Sequence, residues 1–197
     1  LPLRIAAIPL ESSSEVLYAR DMGFLTKAGL TPEVTLMVNG AAIAAGIVSR
    51  AVDVGYVTVD ALAAIHRKNI PLVVIAPCSE YLSPSQTGAL LVAASSPIRD
   101  GKDLNGKTVA VVALNGVTHI TTRAWVDQHG GDSSTVKFVE APPSSMPAAL
   151  EAGRVDAAYE GQPYITMSKN AARVLFYGND AIAKHYLSSD GWATPEW

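Results

Sequence analysis

A chain of 197 residues that is 49% hydrophobic can bury a sizeable core, as one large domain or as two small ones. Charged residues make up only 17%, the formal net charge is −3, and no basic run or aromatic-basic interleaving occurs, which argues against nucleic acid as a partner. The longest apolar runs, such as Leu72–Ala76 and Ala89–Ala94, are too short to span a bilayer, and the one cysteine, Cys78, excludes an internal disulfide and a multi-cysteine metal site. The expectation is a soluble α/β protein. Its start, Leu-Pro-Leu-Arg without Met, reads as a processed product or an excised piece, and a removed secretory signal fits it.

Leu3–Ile8 reads as a buried first strand ending at Pro9. Ser12, Ser13 and Ser14 precede apolar periodicity and mark a helix start, with Gly23 and Gly29 punctuating that helix. Thr31-Pro32 turns into a strand over Glu33–Val38, and Asn39-Gly40 opens a helix over Ala41–Ser49. A strand over Val52–Val57, a helix over Asp60–Lys68 and a strand over Ile70–Pro77 follow. Cys78–Thr87 is polar and contains a proline, so it reads as a crossing segment. Gly88–Ala94 and Lys107–Val112 read as strands, and Leu114 to Thr118 opens a helix over His119–His129. A strand over Val136–Val139, a helix over Met146–Ala152, a strand after Val155, a helix over Pro163–Ala171 and a strand over Arg173–Tyr177 complete the alternation. Gly178-Asn179-Asp180 reads as a second crossing, and Ala181–Trp197 as an irregular link back to the first half. Strand and helix in alternation predict parallel sheets covered on both faces.

One stretch is said twice. Ala44 to Asp60 and Ala148 to Pro163 both run from an Ala-rich helix through a Val-Asp step and two small residues to a Tyr. Aligned on Asp53 and Asp156, the copies lie 156 − 53 = 103 residues apart, about half the chain, which predicts two similar half-molecules. The predicted lobes are 1–79 plus 181–197 and 88–177, with crossings at 80–87 and 178–180.

In open α/β sheets ligands sit outside the carboxyl ends of the strands. The segments landing there are Pro9–Ser14, Asn39–Ala41, Thr58–Asp60, Cys78–Tyr81, Asn115–His119 and Glu160–Pro163. Several open a helix with small or hydroxyl residues, whose free N–H groups attract anions and polar oxygens. Each of Ser12–Ser14 and Asn39-Gly40 taken singly is an ordinary cap, and their convergence is what points to a ligand. Asn115, Gly116, Val117, Thr118 and His119 form the most suggestive cluster, offering close backbone approach, a hydroxyl and an imidazole. Among the acids Glu11, Asp60, Glu80 and Glu160, Asp60 reads as a helix cap, whereas Glu160 has no capping role and is suited to gripping an amine or ring N–H. No Arg or Lys falls in these segments, which argues against a polyphosphate. No G-x-S-x-G, Walker A, H-E-x-x-H or strand-linked G-x-G-x-x-G motif occurs, so no catalytic residue is assigned and neither a cofactor nor a metal is implied.

Several stretches, in order, resemble the periplasmic solute-binding proteins of the nitrate/sulfonate/taurine ABC importer class. They are G-F-L-T-K-A-G-L from Gly23, N-G-A-A-I-A-A from Asn39, V-D-V-G-Y-V-T-V-D-A from Val52 and S-P-I-R-D-G-K-D-L-N-G-K-T-V-A-V from Ser96. P-P-S-S-M-P-A-A-L-E-A-G-R-V-D-A-A-Y from Pro142 and Q-P-Y from Gln162 continue the match. The resemblance implies an α/β, two-lobed type 2 periplasmic-binding-protein fold. Each lobe would be a mostly parallel sheet flanked by helices, with a ligand cleft between the lobes. It further implies a monomeric, periplasmic or otherwise extracytoplasmic carrier. Such a carrier captures a small polar organic solute or oxyanion by hinge closure and delivers it to a membrane permease with its ATPase. The chain departs from that class at Gln162, where an acid is usual before the Pro, and at Gly161, where a large aromatic is usual; both predict a roomier pocket. Two rivals share the architecture. One is an enzyme resembling pyrimidine-precursor synthases or chorismate dehydratases, with His119 or Glu160 catalytic. The other is the effector domain of a LysR-type regulator.

Overall fold

The computed structural model describes residues 1–83 and 85–197 and divides into two compact units, residues 1–81 with 186–197, and residues 82–185. In chain order the elements are β1 (Pro2–Ala7), α1 (Ser14–Asp21), α2 (Phe24–Lys27), β2 (Thr31–Leu36), α3 (Gly40–Val48), β3 (Val54–Thr58), α4 (Val59–His66) and β4 (Val73–Leu82). They continue with β5 (Gly88–Ala93), β6 (Thr108–Val111), α5 (Val117–Gln128), β7 (Lys137–Glu140), α6 (Met146–Glu151), β8 (Ala157–Gly161), α7 (Tyr164–Met167), β9 (Ala172–Tyr177) and β10 (His185–Ala193). Among the described residues no helix is long and apolar enough to cross a membrane.

Each unit is built on a five-stranded sheet with the same plan. Unit 1 has the order β2-β1-β3-β10-β4 and unit 2 the order β7-β6-β8-β5-β9. The first three strands of each are parallel, and the fourth runs antiparallel to the third. The sheets are therefore mixed, where strand-helix alternation alone predicted parallel pairing. In both units the reversed strand arrives by a crossing between units and not by a βαβ connection.

The largest departure from expectation is the tail. Residues 181–197 read as an irregular link, yet β10 occupies His185–Ala193, lies second from the sheet edge, and is buried from Ser189 to Ala193. Serines, an Asp and a Gly carry none of the β-branched signal of a strand, and a strand buried on both faces shows no alternation. Cys78–Leu82, expected as a crossing, is instead the polar half of β4. It pairs with β10: Ser79 Oγ lies 2.8 Å from Ser188 Oγ, Tyr81 packs on Tyr186 at 5.3 Å between ring centroids, and Ser83 N donates to Lys184 O. The predicted crossing 80–87 contains Pro84, which lies outside the described residues. The helix expected over Pro163–Ala171 is only Tyr164–Met167, because backbone bonds to Ser168 O from Ala171 and Ala172 close a turn there.

The repeated Val-Asp step has a structural explanation. Asp53 N donates to Arg4 O at 2.8 Å while Asp53 Oδ2 accepts from Arg4 N at 2.8 Å. Asp156 repeats this on Thr108, with N donating to its carbonyl at 2.8 Å and Oδ2 accepting from its N–H at 2.9 Å. Each Asp thus clamps the first turn of the central strand to the strand beside it, and a cation adds to each clamp: Arg4 at 2.7 Å, Lys107 at 3.7 Å. The Arg4 guanidinium and backbone bonds hold the Asp53 carboxyl below the usual range. Replacing Asp156 by Ala leaves Thr108 N–H without its partner, and a loss of about 1 kcal/mol in urea-monitored stability is expected.

Helix α3 rests on β3 through small residues. A Cβ at Gly55 would collide with Ile43 Cγ2 and lie 2.7 Å from Ile47 Cδ1, both on fully buried side chains. Gly55→Ala is therefore expected to cost about 1–3 kcal/mol by overpacking, read as a lower denaturation midpoint. The unit 1 core gathers Ile43, Ile47, Val57, Ile65 and Trp192; in unit 2 one face packs Val109, Val111, Val126, Tyr159 and Phe176, and the other Leu91, Ala110, Met146, Leu150 and Ala158.

Candidate functional site

In unit 1 the parallel strands β1, β2 and β3 all end at one edge of the sheet, and the predicted contact segments leave from there. Glu11, Ser12 and Ser13 form a 3₁₀ turn after β1. Ser12 O is 3.5 Å from Ser189 Oγ, and Ser13 is 1% exposed with its Oγ unpartnered among the described residues. Asn39 caps α3, its side chain accepting from Ala42 N at 3.0 Å. Gly40 serves packing, since a Cβ there would lie 2.8 Å from Ala61 Cβ and Val57 Cγ1. Thr58 occupies the N-cap position of α4 with no capping bond from its hydroxyl, Asp60 follows in the first turn, and Glu80 is exposed on β4.

Tyr56, Ser188, Ser189 and Asp190, which sequence reasoning missed, join Cys78 and Ser79 of the expected Cys78–Tyr81 segment at this edge. Tyr56 OH donates to Glu15 Oε2 at 2.8 Å, and burial pushes the phenol well above its ordinary range. The Cys78 thiol is likewise raised by burial, with Tyr56 opposing the shift. Ser79, Ser188 and Ser189 form a hydroxyl chain beside it. On the other face of β10, Asp190 is 1% exposed; one carboxylate oxygen accepts from Trp192 Nε1, and Oδ2 has no partner among the described residues. Burial raises its pKa, the Trp192 bond opposes this, and the nearby Asp60 charge adds to it. Only recognition of the tail as a strand would have revealed this group. A groove lined by Arg4, Arg50, Asp53 and Trp197 opens around the Asp53 clamp, at the strand-start end of unit 1, away from these residues.

In unit 2, β6 and β8 are parallel neighbours, so Asn115–His119 and Glu160 leave the same sheet edge. The loop is tightly made. Asn115 takes a left-handed φ of 62°, and its N–H donates to His119 Nδ1 at 2.8 Å, which leaves the imidazole proton on Nε2. Gly116 occupies the N-cap position of α5, and Val117 begins the helix. Thr118 Oγ1 accepts from Val112 N at 3.2 Å. His119 is buried edge-on against Phe138, and burial, helped by the Arg123 charge, lowers its pKa. The imidazole is therefore neutral at pH 7. Gln162 is engaged locally, its Oε1 accepting from Thr166 Oγ1 at 2.8 Å.

Glu160 stands apart. It is 1% exposed, both carboxylate oxygens lack a partner among the described residues, and burial pushes its pKa up to about 8. It shares the face of Ala158, which packs toward α6, while Tyr159 faces the α5 side and donates to Asn179 Oδ1 at 3.0 Å. Glu160 and the His119 loop thus share an edge of the sheet but not a face. Among the described residues no group of three or more His, Cys, Asp or Glu is placed to hold a metal.

The fold matches solved binding proteins along its whole length. Against the alkanesulfonate-binding protein SsuA of Xanthomonas axonopodis pv. citri, bound to MOPS, the TM-score is 0.84 at 18% identity, covering 99% of this chain and 66% of that one. The periplasmic aliphatic sulphonate-binding protein SsuA of Escherichia coli gives 0.76 at 23% identity, covering 99% and 62%. The periplasmic nitrate-binding protein NrtA of Synechocystis PCC 6803 gives 0.83 at 14% identity, covering 100% and 56%. The chain thus spans between just over half and two-thirds of the length of these structures, and the likeness at such identity is one of fold: the type 2 periplasmic-binding-protein fold. No curated protein matches the sequence significantly. The model of the family described as NMT1/THI5 like matches residues 12–190. The chain belongs to the NMT1/THI5-like family.

Proposed function

We propose that this chain is the extracytoplasmic solute-binding component of an ABC importer, taking a small polar solute at the strand ends of its two units. The observation that carries the reading is Glu160, a carboxyl group buried at a strand end with neither oxygen hydrogen-bonded among the described residues. Leaving such a group unmade costs about 1–3 kcal/mol or more, a cost that a ligand's donor removes. Support also comes from the fold shared with sulfonate- and nitrate-binding proteins and from the small and hydroxyl residues that open α3, α4 and α5 at the same edges. In this reading the two chain crossings act as a hinge, between lobes bounded near 80–87 and 178–180. The loaded monomer is then read by a membrane permease with its ATPase.

Native mass spectrometry of the purified chain, after exposure to a metabolite extract, tests this. A single small adduct recovered chemically unchanged on release is expected. No adduct from any extract overturns the reading, and a solute recovered altered replaces it with an enzyme in which Glu160 or the neutral His119 is the catalytic group.

A further inference from the structure

The two ends of the unit 2 sheet carry different chemistry. Glu160 lies opposite Ala89 at one end, whereas Ala93 pairs with Ala172 at the other, where β5 leaves the sheet and β9 enters it. Past β5 the chain turns through Ser96 and Ile98, and β9 brings Arg173 to the same turn. Ser96 O accepts from Arg99 Nη1 at 2.5 Å and from Arg173 Nη2 at 3.1 Å. Ile98 O accepts from the same two nitrogens, from Arg99 Nη1 at 3.0 Å and from Arg173 Nη2. Two guanidinium groups therefore meet on one pair of backbone carbonyls, each committing one terminal nitrogen to the turn.

Among the described residues no carboxylate lies within ion-pair distance of either group. The acids beside them in the chain are engaged in capping. Asp103 Oδ2 accepts from the N–H of Arg99 at 2.9 Å and from that of Asp100 at 3.1 Å, and Asp100 Oδ1 accepts from Gly101 N at 2.8 Å. The Asp103 charge reaches Arg99 only at longer range. Arg99 is exposed, but Arg173 is half-buried, and its Nε is buried without a partner among the described residues. Carbonyl dipoles satisfy N–H groups without cancelling two positive charges, and like charges drawn onto shared acceptors repel. Buried charges are ordinarily paired, so the arrangement calls for an anion.

We propose that Arg99 and Arg173 form a binding site for a small oxyanion of the phosphate or sulfate class, at the end of the sheet remote from Glu160. The planar fork of a guanidinium presents its donors at the spacing of such oxygens, and two forks side by side suit a doubly charged anion. The site lies wholly within residues 82–185 and stands independently of the solute-binding reading.

Calorimetric titration of the full chain with sodium sulfate and, separately, sodium phosphate tests this, with sodium chloride holding ionic strength constant. One saturable site per chain is expected with at least one of the two anions, about tenfold weaker or worse in both Arg99→Gln and Arg173→Gln. No saturable binding of either anion overturns the proposal. So does unchanged affinity in either variant, which puts the anion elsewhere. If Arg173→Gln does not fold, Arg99→Gln, made on an exposed side chain, decides alone by the same criterion.

Discussion

Glu160→Gln is expected to remove a decline in stability that the ligand-free protein suffers between pH 4.5 and about 8. In the folded chain the carboxyl titrates near 8, and its ordinary value is 4.5. Below 4.5 both states hold the proton and the group contributes nothing against folding. Between the two values the unfolded chain gives up a proton that the folded chain keeps, so stability falls as pH rises, by about 1.4 kcal/mol per pH unit for one group. Above about 8 both states are ionised and the slope ends. Asp190 tilts stability in the same direction, while the lowered carboxyls of Asp53 and Asp132 act the other way at acid pH. Subtracting the variant's urea stability from that of the parent at pH 5, 6.5 and 8 isolates Glu160. The variant should be the more stable protein at pH 8, and equal slopes in the two proteins would mean that Glu160 has a partner in solution.

Trp192→Ala is expected to cost about 3–5 kcal/mol, as large aromatic truncations in cores do. Trp192 is fully buried and packs with Ile43, Ile47 and Val57 against α3. Its removal also takes the Trp192 Nε1–H from Asp190, leaving a second carboxylate oxygen without that donor in an apolar setting. Trp192→Phe keeps most of the volume and drops the N–H. The difference between the two variants therefore separates packing from the hydrogen bond. A loss below about 1 kcal/mol for the alanine variant would place Trp192 outside the cooperative core.

The alternation of strand and helix was legible because amphipathic and buried runs carry their own period: among the described residues, nine of the ten strands and helices α3 to α6 lie close to where the pattern puts them, while the one helix expected after Ser14 is divided into α1 and α2 at Gly23. The doubling was legible too, and its physical basis is the Asp53 and Asp156 clamp. What failed was local. L-S-S-D-G-W-A is a strand only because β3 and β4 flank it on both sides, information that lies more than a hundred residues upstream. With β10 misread, Ser189, Asp190 and Trp192 were invisible as site or core. Glu160 could be singled out because a charged residue following A-A-Y in a buried strand breaks the pattern, whereas Gly40 and Gln162 look the same from sequence whether they serve a ligand or their own helix.

The aspartate clamps carry a lesson about duplicated proteins. What the two halves have in common is fastening: a carboxylate tying neighbouring strands at the end remote from the candidate contacts. The copies disagree at the opposite end, at Val57 against Glu160 and Ala89 against Asp190. Exchanging acids across those two rungs would therefore alter what is particular to each unit and leave the shared fastening untouched.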